Sequence, residues 1–188
     1  MSEYQYYEFC NLKAPLTKEA RNEMHALSTR AKVSTHGASY VYNYGNFKGN
    51  PKELLLKHFD VFFYISNWGS LQLTFKYANH EVNTTELKPY VLKHVIDVET
   101  QDPSILLDIH FSNEEGLGWL EAEEILPDLL PLYDEIKTGN YQFLRLVRDV
   151  SERMQTADFI ERTNSLLLSE AEEAFFKYVE IDLKKFYE

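Results

Sequence analysis

The chain has 188 residues, of which 44% are hydrophobic and 14% aromatic, so it can bury a substantial core as a folded protein. Its single cysteine, Cys10, excludes an intramolecular disulfide and a four-cysteine zinc site, and its net charge of -11 argues against nucleic acid or an anionic membrane as a partner. No apolar run approaches the roughly 18 residues of a membrane span and the first residues lack a signal-peptide pattern, so we expect a soluble, cytoplasmic protein.

Strand and helix patterns alternate in the first part of the chain. The aromatic run over 4–9 predicts a strand, and Thr17 can cap a helix predicted over 18–32. A second strand is predicted over 40–44. Residues 71–77 alternate strictly between apolar and polar side chains, which is typical of a strand with one buried face.

The segment NYGNFKGNP, residues 43–51, has two glycines and a lysine ahead of an apolar run, as a phosphate-binding loop would. A phosphate loop of the Walker type needs Gly-Lys followed by Ser or Thr, which this segment lacks. Asn50, Pro51 and Glu53 instead have the spacing of an N-cap, a first helical residue and a capping partner. We therefore interpret the segment as the start of a helix over 51–67.

The remaining elements are a hairpin followed by helices. They are a short helix over 84–92, strands over 95–99 and 104–111, a helix that follows Asn140 and runs to about 155, and a last helix with a Ser169–Glu172 capping box. This order predicts an α+β fold, with a small mixed or antiparallel sheet packed with helices over 1–112. An acidic helical region over 113–188 follows, and we expect it to pack on the first part as one compact unit.

The charge is divided unevenly between the two halves. Residues 1–96 carry 11 Lys and Arg against 8 Asp and Glu, whereas residues 97–188 carry 8 against 22. An acidic surface of this kind is typical of a solvated helical face, and it also suits docking of a basic partner. Six residues are the candidate binding residues, three in an aromatic strand and three in the acidic tract: Tyr40, Tyr42, Tyr44, Glu121, Glu123 and Glu124.

Asp108 and His110 are the candidate catalytic residues, because they fall on one face of a predicted strand and can act as an acid and a base. Glu114 is close behind them in sequence. A solvated strand face with an ordinary hydrogen bond is the alternative interpretation. A metal site would need a third ligand from another histidine, and His36, His58, His80 and His94 are the ones considered. No HExxH or similar spacing is present, so we expect no metal and no cofactor.

Four segments resemble a family of uncharacterised bacterial proteins. They are YYEF (6–9), PLTKE (15–19), LSTRA (27–31) and FKGNPKELLLKHFDVFFYISNWGS (47–70), which match the pattern YYEF…LT…LS.RA…FKG.P…NWG. The resemblance covers about residues 4–75 and implies a bacterial protein. It implies no activity and no site residues, because the family supplies none.

Functions of three classes remain, and one of them, single-strand nucleic-acid binding by base stacking on the strand tyrosines, is opposed by the net negative charge. The other two need no basic surface on this chain. The first is a non-enzymatic protein-interaction or regulatory module that binds another protein, with a homo-oligomer as a further option. The alternative is a metal-dependent or acid-base hydrolase centred on Asp108 and His110. The sequence leaves open whether the protein is an enzyme.

Overall fold

The computed structural model describes residues 3–113, 116–117, 121–156 and 167–186. Within them the chain forms seven strands: β1 (Gln5–Cys10), β2 (Lys32–Val33), β3 (Gly37–Tyr42), β4 (Val61–Ser66), β5 (Ser70–Ala78), β6 (Ile96–Gln101) and β7 (Ser104–Ser112). They build one sheet in the order β2-β3-β1-β4-β5-β7-β6, and every neighbouring pair is antiparallel.

The same residues form seven α-helices: α1 (Lys18–Leu27), α2 (Pro51–His58), α3 (Thr84–Leu87), α4 (Ile125–Leu129), α5 (Pro131–Lys137), α6 (Gln142–Thr156) and α7 (Glu170–Tyr178). Short 3-10 turns lie at Lys88–Tyr90, Ala122–Glu124 and Leu183–Lys185. The predicted α+β class is therefore confirmed, with an antiparallel sheet. Among the helices described, none is long and apolar enough to cross a membrane.

The predicted helix starts are confirmed by their hydrogen bonds. Thr17 accepts a bond from the third residue of α1, and Ser169 and Glu172 form a reciprocal capping box at α7. Asn50 accepts bonds from the backbone N–H groups of Lys52 and Glu53, so the glycine-containing segment before α2 ends in a helix cap.

The helix predicted over 51–67 is wrong beyond His58. The chain leaves α2 there and continues as β4, a central strand between β1 and β5. Because helices cover both faces of the sheet at this point, Phe62 and Phe63 are both buried although they point to opposite sides. A strand buried on both faces is apolar at nearly every position, and its sequence looks the same as a buried helix.

Smaller differences concern the edges of elements. The helix predicted over 18–32 ends at Leu27, and its last predicted residue belongs to the edge strand β2. The strand predicted over 40–44 begins three residues earlier, in β3. The alternating strand over 71–77 is confirmed as the inner part of β5.

Two hydrophobic clusters lie on opposite faces of the sheet. One is formed by α1 and α2 against β1, β3 and β4, and the other by the helices after residue 121 against β4, β5, β6 and β7. The second cluster contains residues of the sheet and of the C-terminal helices in a single core. The division of the chain into two parts at residue 112 stays a prediction. The two helix layers are offset along the sheet, so each face keeps a part that its helices leave accessible.

Candidate functional site

Asp108 and His110 lie on the accessible part of the α2 face and contact each other. His110 Nε2 donates a hydrogen bond to Asp108 Oδ2 at 2.8 Å, and the two side chains are 41% and 27% exposed. The sequence pattern predicts that both residues lie on one face of a strand. In the structure they are alternate residues of β7 and therefore share a face. The pair is therefore a formed acid-base unit that solvent can reach.

Two residues of β5 hold the Asp108 carboxylate, and the sequence did not single them out for this role. Thr74 Oγ1 donates to Asp108 Oδ1 at 2.6 Å, and Gln72 Nε2 donates to both carboxylate oxygens at 2.9 and 3.0 Å. The register of β5 and β7 sets Thr74 opposite Asp108 and Gln72 opposite His110. The signal available in the sequence was the alternation of β5, which puts Gln72 and Thr74 on its polar face.

These bonds shift the pKa values of the pair in opposite directions. Burial alone raises the pKa of Asp108, but the hydrogen bonds from His110, Thr74 and Gln72 outweigh it and lower the pKa below its usual value. The hydrogen bond to Asp108 is the main reason why the pKa of His110 is raised, against a smaller effect of burial. The arrangement favours an imidazolium beside a carboxylate.

A cleft of about 800 Å³ opens beside His110. It forms because β6 begins at Ile96, opposite Ile109, so the last residues of β7 pair with β5 on one side but have no strand on the other. The loop of Lys93 and His94 borders the cleft on one side. The end of α6 and the segment 180–186 border it on the other.

A smaller cavity of about 100 Å³ lies on the far side of Asp108, next to α2. Lys52 and Glu99 line it and form an ion pair at 2.5 Å. Its volume leaves space for only a few water molecules. Of these two cavities, only the larger cleft has room for an organic ligand, and His110 is the member of the pair that lines it.

The histidines considered as third ligands lie in different places. His94 lines the cleft with His110, whereas His58 bonds to Glu23 at 2.9 Å and His80 lines a cavity near α5. His36 is exposed in the turn between β2 and β3. In the described part of the chain, no three His, Cys, Asp or Glu side chains are grouped so as to hold a metal ion. Glu114 lies outside the described residues.

The three candidate tyrosines have three different environments. Tyr40 is 1% exposed and its hydroxyl donates to the Met24 carbonyl, so it belongs to the core and not to a surface. Tyr42 is half-buried against Phe47, and its buried hydroxyl has no hydrogen-bond partner among the described residues. Tyr44, after the end of β3, is 82% exposed. Of the three, it is the one with most of its ring available to a partner.

The three candidate glutamates are exposed, at and just before the 3-10 turn Ala122–Glu124. Glu123 forms an ion pair with Lys32 of β2 at 2.6 Å, so this turn lies beside the β2-β3-β1 edge of the sheet. Both side chains of the pair are largely exposed, and such pairs add little to stability. Glu121 and Glu124 lie close to Glu123 in the sequence, just before and at the end of the same turn.

Glu8 is a further acidic residue on that side of the sheet, and it is absent from the residues selected in the sequence analysis. It lies with Cys10, Ser39 and Val41 on a surface of β1 and β3 that is only partly covered, called here the β1–β3 surface. Burial raises the pKa of Glu8 to about 7. The charge of Glu123 adds to this effect, and a hydrogen bond from Tyr6 at 3.1 Å opposes it. The available signal was a single carboxylate within a predicted strand that is rich in aromatic residues.

Similarity to known proteins gives no independent indication of which surface is used. The resemblance of the N-terminal segments to a bacterial family therefore stays an expectation, and the functional argument depends on the geometry above. Comparison of the chain with protein-family models, with curated proteins and with solved structures produced no match.

Proposed function

We propose that this protein is a non-enzymatic interaction module that binds a basic protein partner on the β1–β3 surface. The observation that carries the proposal is the Glu8 carboxylate, which is partly desolvated at the sheet surface and lies within the electrostatic reach of Glu123. Desolvation without a cationic partner costs free energy, and a basic partner would recover that cost.

The charges around Glu8 suit such a partner. Tyr6 donates a hydrogen bond to the carboxylate, but no ammonium or guanidinium group of the described residues forms an ion pair with it. Glu123 acts on Glu8, and Glu121 and Glu124 are exposed in and just before the same 3-10 turn, so this acidic turn would attract a basic surface during the encounter. A lysine or arginine of the partner could then bond to Glu8 and displace Lys32 from Glu123.

The first experiment identifies what contacts this surface in cells. A photo-crosslinking amino acid is placed at Ser39, opposite Glu8 in the strand register, and a second protein carries it at Lys18 of α1, on the other face. We expect a crosslinked partner with a basic surface from Ser39 but not from Lys18. A crosslink to a second copy of this acidic chain, or the same products from both positions, would contradict the proposal.

The second experiment measures the association rate of that partner with two triple variants of equal net charge. One replaces the exposed glutamates next to the β1–β3 surface, namely Glu121, Glu123 and Glu124, by glutamine. The matched control replaces exposed glutamates elsewhere, namely Glu19, Glu53 and Glu173. We expect the first variant to associate about threefold to tenfold more slowly at low salt, with a smaller effect in the control. Equal effects of the two triple variants on the association rate would mean that these glutamates act only through the net charge of the protein.

A second candidate function is acid-base hydrolysis at Asp108 and His110, which the 2.8 Å hydrogen bond between them and their position beside the cleft favour. In this function His110 would take a proton from a water molecule and Asp108 would stabilise the resulting imidazolium. A panel of chromogenic esters and phosphoesters tests it, with His110→Gln as the comparison. Activity that survives in this variant, or no turnover by the parent protein, argues against it.

A further inference from the structure

The cleft beside His110 has a charge that differs from the rest of the molecule. Four of its side chains carry or can carry a positive charge: Lys93, His94, His110 and Lys185. The chain as a whole has a net charge of -11. Composition gave no indication of a basic patch, because these four residues come from three separate segments of the chain.

Most of these positive groups are available to a ligand. Among the described residues, Lys93, His94 and Lys185 have no hydrogen-bond or ion-pair partner for their side chains, and Nδ1 of His110 has none either. An unpaired cation next to a concave surface is a ready site for an anion, because binding requires no existing pair to break.

The acidic groups of the cleft are already engaged. Asp182 accepts a hydrogen bond from the backbone N–H of Lys184 at 3.0 Å, and Glu180 has an interaction of its own. Asp108, the partner of His110, also receives bonds from β5, and Asp97 of β6 acts on His110 from a greater distance. Glu180 and Asp182 equal Lys93 and Lys185 in number, and Asp108 balances a protonated His110, so the cleft is close to neutral within a chain of net charge -11. The two lysines still have no ion-pair partner among the described residues.

Part of the remaining lining is apolar or aromatic, and part is polar and uncharged. Tyr64 and Phe111 come from the sheet, and Met154 and Phe186 come from the two segments opposite. Met154 is 45% exposed, although it belongs to a helix whose other face is in the core. A concave site with apolar walls and a few convergent polar groups is the usual form of a small-molecule site.

The backbone around the cleft has a related feature. His94 has φ +67° and Glu180 has φ +57°, and within the described residues these are the two non-glycine positions with a left-handed backbone. Both line the cleft. Glu180 takes this conformation where α7 ends, and the N–H groups of Glu180 and Ile181 donate to the carbonyls of Lys177 and Phe176, as is usual at a helix C-terminus. His94 lies in the turn before β6, where a left-handed non-glycine residue costs roughly 1–3 kcal/mol.

We infer that this cleft binds a small organic anion, with its carboxylate or phosphate group on Lys93, His94, His110 and Lys185 and its apolar part against Tyr64 and Met154. The inference does not depend on the protein-interaction function, because the β1–β3 surface lies at another part of the sheet. It also requires no chemical step at His110, so it holds whether or not the protein is an enzyme.

The test is an NMR titration that follows the imidazole signals of His94 and His110. The probes are benzoate, phenyl phosphate and inorganic phosphate, each added to about 10 mM, which reaches the weak end of specific binding. We expect saturable shifts of both signals with at least one organic anion, at a lower dissociation constant than for inorganic phosphate. The better organic probe identifies the anionic group. Absence of saturation with both, or equal affinity for inorganic phosphate, overturns the inference.

Two double variants separate the local site from overall charge. Lys93→Gln with Lys185→Gln should weaken binding of the better probe about fivefold or more. Lys18→Gln with Lys48→Gln removes the same charge from exposed positions elsewhere and should leave the affinity nearly unchanged. All four lysines are exposed, so neither variant endangers the fold. Equal weakening by the two pairs would also overturn the inference.

Discussion

Glu8→Gln should make the protein more stable at neutral and alkaline pH. Glu8 has a pKa of about 7 in the folded protein, against 4.5 for an ordinary glutamate, with burial as the main cause. The folded state therefore binds more protons than the unfolded state between these values, and the free energy of unfolding falls as the pH rises through this window. At about 1.4 kcal/mol per pKa unit, the cost is about 3.5 kcal/mol well above pH 7, and about 2 kcal/mol after allowance for partial exposure.

Urea unfolding followed by circular dichroism measures this difference. We expect Glu8→Gln to match the parent protein near pH 4.5, where Glu8 is protonated, and to exceed it by about 2 kcal/mol near pH 8. Glu19→Gln, at an exposed position of α1, is the control and should follow the parent at both values. If Glu8→Gln lost as much stability between the two pH values as the parent does, burial of Glu8 would not be the source of the pH dependence.

Two further predictions concern the acid-base pair and one turn of the sheet. Asp108→Asn should lower the pKa of His110, because the main cause of its elevation is removed, and NMR titration of the imidazole measures this. Gly69→Ala should destabilise the fold by about 3–5 kcal/mol in thermal unfolding, because Gly69 has φ +94° and an added Cβ would lie 1.9 Å from the Asn113 carbonyl oxygen.

Each of these two predictions has a control within the same protein. The backbone amide signals of α1 should be the same in the Asp108→Asn spectrum as in that of the parent protein, and a change there would indicate a global effect. Gly139 has a similar φ of +87° but no atom within 4 Å of an added Cβ, so Gly139→Ala should cost only about 1 kcal/mol. Equal losses at the two glycines would mean that the close approach to Asn113 is unimportant.

Local signals in the sequence were sufficient where the interaction itself is local. The caps at Thr17, Asn50 and Ser169 involve residues within three positions of each other, and all three form. The shared face of Asp108 and His110 follows from strand geometry alone and was also predictable. These features need no knowledge of what lies elsewhere in the chain.

Long-range features could not be read in the same way. The strand nature of β4 depends on its having helices on both sides, and the run FFYI is compatible with either structure. Thr74 and Gln72 reach Asp108 only because β5 is the neighbour of β7, in a register that no local pattern gives. The strand of Tyr40 was predicted, but the packing of α1 against that strand was not. Tyr40 was therefore wrongly expected at a binding surface.

The sequence order of the two helix layers has a consequence for synthesis. All seven strands are present once residue 112 has been made, and α1 and α2 are available by then to cover their own face. The opposite face, with Leu73, Phe75 and Leu107 fully buried in the finished protein, is covered by helices that come later in the chain. During translation this face is an exposed apolar sheet, and chaperone binding should be strongest in that interval.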